Sequence, residues 1–453
     1  MKTGVQRISK SLKELDSGFR RNDDHQPFST FYDFSNTVFR RRRVMRVRGE
    51  SQNMRLIGHN TLNGFGNGGE GISLKRLPDG RRILFVAHEG PPKDFTVLDV
   101  TDPSVPKVIT QVNLPHNRVR SNSLALVDDL LLVAYQAGLD PGPSNFNMEH
   151  AGMVVWDIRD LEHPRQISFF KTSGDHSRGA HYVWCVDGRY AHLSTGMPDS
   201  VPTHPNDDQF YVIVDLADPV RPRESGRWWL PGTQEGDAVS PPLRHRQFDV
   251  GFRAHNTNVY PERPDRAYVG YIDGGVIILD ISDMSHPKMI SRVDYHPPFP
   301  GFTHTALPLF NRNLLIATDE CVRHDFEDWP KRIWVLDGRE ETNPVIISSF
   351  PTPPKDQFLF KGVRLGAHNI HENEPLSTSW VSEDIIIGTF FSGGVIAYDI
   401  SDPFRPEEVA YYVPPAPEGS ASIMIDDLYV DERGLVYALD RIRGGLYILE
   451  MNI

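Results

Sequence analysis

One pattern recurs along the chain and limits the folds open to it. An apolar run ends in Asp, a short turn containing Pro follows, and a second strand-like run comes next. Six copies are present: FTVLDVTDPSVPKVITQV, MVVWDIRDLEHPRQISFF, YVIVDLADPVRPRESGRW, VIILDISDMSHPKMISRV, IWVLDGREETNPVIISSF and VIAYDISDPFRPEEVAYY. Their aspartates are Asp99, Asp157, Asp215, Asp280, Asp337 and Asp399, separated by 58, 58, 65, 57 and 62 residues. A degenerate seventh copy, GLYILEMNI, has Glu450 at this position. Such a period indicates repeated structural units.

Each copy predicts the same local structure. The run of β-branched and aromatic residues is typical of a buried strand. The Asp can accept hydrogen bonds from backbone N–H groups of the turn, and the Pro restricts φ there. Two more strand-like segments precede each copy, for example GAHYVWCVDG and RYAHLSTG. Four strands in each of seven repeats predict an all-β fold, a seven-bladed β-propeller.

The two ends of the repeat region are complementary. The last copy stops after its third strand, at Ile453, whereas MRLIGHNTL, residues 54–62, has the character of a fourth strand. We therefore expect residues 54–453 to form one propeller domain, closed by an N-terminal strand that completes the last blade. The chain resembles the LVIVD-repeat β-propeller family, whose signature is this strand, Asp and Pro-turn motif. The resemblance covers roughly residues 54–453 and implies the fold, but it says little about chemistry.

Charge and composition narrow the functions to be considered. Residues 1–50 lack periodicity and are predicted to be a disordered or non-native extension, with Met45 and Met54 as alternative starts. They carry 12 Lys and Arg against 6 Asp and Glu, or +6, so the net charge of −12 for the whole chain leaves −18 on the remainder. An acidic body does not favour nucleic-acid binding. No apolar run reaches about 18 residues, so no membrane span is predicted. Two cysteines, Cys185 and Cys321, favour a reducing, cytoplasmic location.

Histidines recur at one position of the repeat. When the repeats are aligned by their aspartates, the first strands begin GGEGIS, RSNSLA, RGAHYV, FRAHNT, GFTHTA, LGAHNI and MIDDLY. The equivalent residues are Glu70, Asn122, His181, His255, His304, His368 and Asp426. The first strand of each blade lines the narrow axial channel, so four consecutive blades supply a histidine at one height. Imidazole nitrogens bind Zn, Cu, Fe, Mn and Ni. We therefore predict a metal site with these four histidines as ligands; the alternative is a polar ring that hydrogen-bonds channel water.

Carboxylates follow the second strands, which return to the same face. They occur at Glu89, Asp273, Asp319, Glu320 and Asp440. A metal-bound histidine needs an acceptor for its second ring nitrogen, and a channel enzyme needs an acid or base. We predict Glu70, Asp319 and Asp273 for these catalytic or orienting roles. The alternative for each carboxylate is a hydrogen bond within its own loop.

The motif RLGAHNIHEN contains two histidines three residues apart. Successive side chains of a strand point to opposite faces, and an odd separation therefore places His368 and His371 on different faces. We expect His368 to face the axis and His371 to face the interior of the blade.

The predicted centre resembles two propeller families in arrangement alone. In the carotenoid-cleavage oxygenases, four histidines hold a non-haem Fe(II) on the axis of a seven-bladed propeller. Selenium-binding proteins and methanethiol oxidases are histidine-rich propellers thought to hold copper. The resemblance implies a metal-dependent enzyme, an Fe(II) or Cu oxidoreductase or oxygenase acting on a small organic substrate, with Zn or Mn as further candidates. The alternatives are a redox-silent lyase, isomerase or hydrolase, and a non-catalytic interaction scaffold.

Overall fold

The computed structural model describes residues 50–138, 149–353 and 364–453 of the chain. Contacts between Cα atoms divide the chain into two units, Met1–Met45 and Arg46–Ile453. The predicted extension, residues 1–50, lies outside the described residues except for Glu50. No helix in the described part of the chain is long and apolar enough to cross a membrane.

Secondary structure in these ranges is almost entirely β, as the repeat predicts. Two short 3-10 helices, Leu62–Gly64 and His324–Phe326, accompany the strands. In chain order the strands are β1 (Ser51–Gln52), β2 (Met54–Asn60), β3 (Gly68–Arg76), β4 (Arg82–His88), β5 (Lys93–Asp99), β6 (Lys107–Asn113), β7 (Val119–Val127), β8 (Leu130–Ala137), β9 (Gly152–Asp157), β10 (Arg165–Lys171), β11 (Ala180–Trp184), β12 (Tyr190–Thr195), β13 (Phe210–Asp215), β14 (Arg223–Trp228), β15 (Ala254–Tyr260), β16 (Arg263–Tyr271), β17 (Gly275–Asp280), β18 (Lys288–Val293), β19 (Thr303–Leu309), β20 (Leu314–Asp319), β21 (Ile333–Asp337), β22 (Val345–Ser349), β23 (Ile385–Thr389), β24 (Val395–Asp399), β25 (Glu407–Tyr412), β26 (Ile425–Val430), β27 (Leu435–Asp440) and β28 (Gly445–Met451).

The strands pair antiparallel, and within a sheet their spatial order follows the chain. Strands β11–β14, β15–β18 and β19–β22 each form a four-stranded sheet. Strands β3–β6 and β7–β10 are two such groups, joined into one larger sheet by the pairing of His88 with Ser121. The remaining two sheets take their last strand from the N-terminal part of the described chain. Strand β1 pairs with β25, and β2 pairs with β28.

The six repeated aspartates end strands β5, β9, β13, β17, β21 and β24. The first five of these are the third strands of their groups, whereas β24 follows β23 because the segment before β23 forms only isolated β-bridges. Each aspartate accepts a hydrogen bond from the backbone N–H two residues further on, at distances of 2.7 to 3.1 Å. This bond closes the turn that the Pro follows, and it confirms the role predicted for the Asp. These strands are buried on both faces: no residue of the adjacent pairs Ile277 and Ile278, Val335 and Leu336, and Ile396 and Ala397 is more than 3% exposed.

The first strands of neighbouring groups contact one another. Strand β3 contacts β7, β7 contacts β11, β11 contacts β15, and β15 contacts β19. Strand β26 contacts both β23 and β3. The first strands therefore surround a common centre, and the residues at their starts face it together.

Substitution of Gly58 tests the position of β2. A Cβ atom at this residue would lie 1.9 Å from the carbonyl oxygen of Pro103, in the turn after β5. Because a backbone atom cannot move aside cheaply, we expect Gly58→Ala to lower the free energy of unfolding by about 1–3 kcal/mol. Urea unfolding followed by circular dichroism measures the change.

Gly90→Ala is the matched control. Its Cβ would meet only the side-chain nitrogen of Asn67, at 3.9 Å. We expect a change within about 0.5 kcal/mol for this variant. Equal stabilities of the two variants would contradict the placement of β2 against the turn.

Candidate metal centre

A β-bulge lies at the start of the first strand in six of the groups. The register shifts fall between Gly68 and Ile72, Ser121 and Ser123, Ala180 and Tyr182, Ala254 and Thr257, Thr303 and Thr305, and Ile425 and Asp427. Each shift contains the residue that the repeat alignment places on the axis. A bulge leaves a residue out of the ladder and bends the strand, and bulges are frequent beside active sites. The bulges thus free these polar residues to project towards the centre.

The four predicted histidines meet at this centre. Ring centroids of His181 and His255 are 4.4 Å apart, those of His255 and His304 3.9 Å, and those of His304 and His368 4.4 Å. All four side chains are buried, and their Nε2 atoms face inward. The Nε2 atoms of His181 and His255 lie 2.9 Å apart.

Glu70 lies among the histidines. Its Oε2 atom lies 3.6 to 4.0 Å from the Nε2 atoms of His181, His255 and His304, and its Oε1 atom lies 3.8 Å from Nε2 of His368. The side-chain amide of Asn122 donates to the same carboxylate at 3.2 Å. Burial raises the pKa of this carboxyl, but the surrounding histidines, His304 foremost, lower it by more. The pKa of Glu70 therefore lies well below its usual range, and the group is an anion at neutral pH.

An acceptor holds the Nδ1 atom of each histidine. The pairs are His181 with Gln136 Oε1 at 3.1 Å, His255 with Asn256 Oδ1 at 2.9 Å, His304 with Thr305 Oγ1 at 2.8 Å, and His368 with the carbonyl oxygen of Asp426 at 2.6 Å. An acceptor at Nδ1 places the ring proton there and leaves a lone pair on Nε2. This is the tautomer that a metal ion requires from all four rings.

The arrangement fits a metal ion better than it fits a ring of hydrogen bonds. With protons on both Nδ1 atoms, His181 and His255 direct lone pairs at each other across 2.9 Å. The Nε2 atoms of His304 and His368 are buried and have no hydrogen-bond partner among the described residues. Two nitrogens bound at about 2.1 Å and at right angles would be about 3.0 Å apart. Together with Glu70, the histidines form groups whose ligand atoms lie within 4.8 Å of one another, and these groups can hold a metal ion.

Burial keeps the imidazoles neutral. It lowers the pKa of His255 to about 3, that of His304 to about 4 and that of His368 to about 3, and neighbouring histidines act in the same direction on the first two. Burial likewise lowers the pKa of His181 well below its usual value. Since a metal binds the neutral ring, no proton has to leave these nitrogens at pH 7.

Comparison with known proteins identifies the architecture. Residues 265–295, which contain the copy around Asp280, match the LVIVD repeat. The structure resembles Raptor of Chaetomium thermophilum, with a TM-score of 0.55 and 13% identity over 100% of this chain and 36% of that one. It also resembles the β-propeller domain of Myceliophteria_thermophila Cps50 (Swd1), with a TM-score of 0.51 and 12% identity over 89% and 99% of the two chains. The chain is a β-propeller that contains an LVIVD repeat.

A third similar structure is the periplasmic gluconolactonase PpgL of Pseudomonas aeruginosa. Its TM-score is 0.50, with 13% identity over 82% of this chain and 96% of that one. At these identities the similarities concern the fold, and the chain spans only about a third of Raptor. No curated protein matches the sequence.

A second carboxylate of the propeller reaches the histidines. Glu320 lies 3.9 Å from Nε2 of His255 and 3.8 Å from Nε2 of His368. Burial and the charge of Glu70 raise the pKa of Glu320 to about 7, although nearby Arg and Lys side chains oppose the shift. The sequence argument named its neighbour Asp319 instead. Asp319 points into the sheet, where it accepts hydrogen bonds from Tyr295 and Trp334, both at 2.8 Å.

Asp273 also lies apart from the histidines. Its carboxylate accepts the backbone N–H groups of Val250 and Gly251, both at 2.7 Å, and faces Nε2 of His296 at 3.6 Å. Asp440 similarly accepts backbone N–H groups of its own turn, for example that of Gly444 at 2.6 Å. Asp440 follows the alternative given for these carboxylates, a bond within its own loop, whereas Asp273 bonds to the segment that precedes β15.

The two histidines of RLGAHNIHEN, His368 and His371, face different directions, as expected. His371 donates from Nε2 to the carbonyl of Trp380 at 2.6 Å and accepts the N–H of Val430 at Nδ1, at 3.2 Å. It lies between strands, away from the centre. The adjacent Glu372 accepts from Asn256 at 2.7 Å and from Asn258 at 2.9 Å, so it supports His255 through Asn256.

Asn256 and Asn258 offer a matched test of the Nδ1 bonds. Both lie on β15, and both donate to Glu372, but only Asn256 touches a histidine ring. We expect Asn256→Ala to weaken metal binding about 10- to 100-fold, because His255 loses the acceptor that sets its tautomer. Competition with a chromophoric chelator measures the affinity.

Asn258→Ala is the control: it also removes a side-chain amide that donates a hydrogen bond to Glu372, but that amide does not contact His255. It should bind metal at nearly the affinity of the unchanged protein. Equal losses in the two variants would mean that the contact with His255 has no effect on the centre.

Proposed function

We propose that this propeller is a metal-dependent enzyme with a divalent transition metal on its axis, bound by His181, His255, His304 and His368. The observation that carries the proposal is the convergence of four buried Nε2 lone pairs, each held in the metal-binding tautomer by an acceptor at Nδ1. Fe(II) is favoured, and Cu, Zn and Mn are the other candidates for an imidazole site.

We propose further that the seven four-stranded groups are the blades of a seven-bladed propeller. In this arrangement β2 completes the blade of β26–β28. Strand β1 adds an outer strand to the blade of β23–β25, whose inner segment around His368 is joined by isolated β-bridges. The antiparallel pairing of β2 with β28, from Met54 to Asn60, supports this closure. Cys185 and Cys321 are free and buried, which agrees with a cytoplasmic location.

The donor set favours redox chemistry. Four neutral ligands leave the charge of the ion uncompensated, and such an ion can take O2 or a small organic substrate at its remaining positions. Among the described carboxylates, Glu70 and Glu320 are the ones that approach the histidine Nε2 atoms. We therefore assign the orienting and proton-transferring roles to Glu70 and Glu320, in place of Asp319 and Asp273.

Metal analysis of the purified protein tests the centre directly. We expect about one transition-metal ion per chain by mass spectrometry. His255→Ala and His304→Ala each remove one of the four converging Nε2 atoms, and the metal content of either variant should fall by at least about tenfold.

His192→Ala controls for the effect of removing any buried histidine. His192 is also buried, and its Nδ1 bonds to Tyr211 at 2.6 Å, away from the centre. This variant should retain its metal. Absence of metal from the unchanged protein, or unaltered metal content in the His255 and His304 variants, would overturn the proposal.

Oxygen consumption separates the reaction classes. An Fe(II) or Cu centre that consumes O2 with an organic substrate supports an oxidoreductase. A Zn- or Mn-loaded protein without oxygen uptake supports the redox-silent lyase, isomerase or hydrolase. One protein of similar fold is a gluconolactonase. Lactone hydrolysis is therefore one of the assays for a redox-silent hydrolase.

A further inference from the structure

Arginines surround the histidines on the side of the strand starts. Arg120 lies two residues before Asn122, and Arg253 two residues before His255. Arg364 precedes His368, and Arg441 follows β27. All four side chains are largely buried: their exposed fractions are 8% for Arg120, 13% for Arg253, 21% for Arg364 and 12% for Arg441. The burial of four positively charged guanidinium groups near one centre requires a physical explanation.

Three of the arginines reach a histidine through a single intervening residue. Arg120 donates to Gln136 Oε1 at 2.8 Å, and the same oxygen holds His181. Arg441 donates to Asp426 at 3.0 Å, and that carboxylate lies 3.4 Å from Nδ1 of His368.

Arg364 is connected to His368 through Glu320. It lies 3.6 Å from the Glu320 oxygen that faces His368 at 3.8 Å. The guanidinium groups thus lie about one side chain away from the converging nitrogens.

Two of the four guanidinium groups lack a close acceptor. Arg253 approaches Asp208 no closer than 3.7 Å, because Arg178 already occupies both oxygens of that carboxylate, at 2.6 and 3.1 Å. Arg364 approaches Glu320 no closer than 3.6 Å and otherwise lies over the ring of Phe391. Among the described residues, the Nε atoms of Arg253 and Arg364 are buried without a hydrogen-bond partner. A buried guanidinium without an acceptor is costly, and an anionic ligand removes that cost.

We propose that Arg253 and Arg364 bind the oxyanion group, carboxylate or phosphate, of an organic substrate beside the metal. The proposal rests on the proposed function and names its substrate class. The guanidinium fork matches a carboxylate or phosphate with two parallel hydrogen bonds. Phe391 and Phe302 contact His368 and His255, at ring-centroid distances of 4.8 and 5.8 Å, and supply an apolar wall for the rest of the molecule.

Small probes on the full-length, metal-loaded protein test the inference. Calorimetric titration compares benzoate, phenyl phosphate and the neutral amide benzamide. We expect one of the two anions to bind at least about tenfold more tightly than benzamide, because benzamide cannot accept the two charge-assisted bonds. The tighter anion identifies the oxyanion as carboxylate or phosphate. Benzamide binding as tightly as both anions would overturn the proposal without any substitution.

Substitutions locate the binding groups. Arg253→Gln and Arg364→Gln should each weaken binding of the preferred anion about 10- to 100-fold, and Arg253→Lys and Arg364→Lys should restore part of the loss. Arg332→Gln removes a cation whose Nη1 donates to Ser349 at 2.9 Å, remote from the histidines, and it should leave anion affinity unchanged. Unchanged anion affinity in both Gln variants would refute the assignment.

Metal content keeps the two proposals separate. Each arginine variant should retain the metal of the unchanged protein, since no guanidinium is a ligand. If the unchanged protein holds no metal but its anion binding still depends on Arg253 and Arg364, the metal function fails and the oxyanion site stands. If metal is present but both anions bind as weakly as benzamide, the oxyanion site fails and the metal function stands.

Discussion

The centre depends on one backbone feature, a residue left out of the ladder at the start of six inner strands. His368, the seventh position, lies in a segment that forms only isolated β-bridges. A regular antiparallel ladder alternates side chains between two faces, whereas a bulge frees one residue from that alternation. In this propeller the bulges occur at equivalent positions of strands that surround a common centre. Polar residues that are about 50 to 75 positions apart in the sequence are brought within hydrogen-bond range of one another. The packed sheets outside them hold the strands in place.

Hydrogen bonds behind the histidines fix the rings in one orientation. Asn256 accepts from His255 and donates to Thr305 Oγ1 at 3.1 Å. That hydroxyl also accepts from His304 and donates to Asn369 at 3.1 Å, and Asn369 donates to Asp427 at 2.7 Å. Every hydroxyl and amide in this series has a partner consistent with its donors and acceptors. The series therefore couples the orientations of the His255 and His304 rings, so a change in one ring alters the hydrogen bonds of the other.

Much of this could be predicted from the sequence, because the repeat supplies a common frame. The aspartate spacing predicted the strands and turns, and alignment in that frame placed His181, His255, His304 and His368 on the axis. The choice between Asp319 and Glu320 failed because they are neighbours at a strand end, where alternation sends only one to the centre. The alternation of residues in the sequence does not show which of the two carboxylates faces the centre. The arginine contacts were also missed, since their acceptors come from other repeats and depend on side-chain packing.

The unpaired nitrogens link stability to function. A buried polar atom without a partner costs about 1–3 kcal/mol. Among the residues that the structure describes, the Nε2 atoms of His304 and His368 find no partner, and the lone pairs of His181 and His255 face each other. A bound ion removes these costs, so part of its binding energy becomes folding energy. The hydrogen bonds at Nδ1 prevent the rings from relaxing by turning away or moving their protons. The same hydrogen bonds therefore hold four nitrogens ready for one ion.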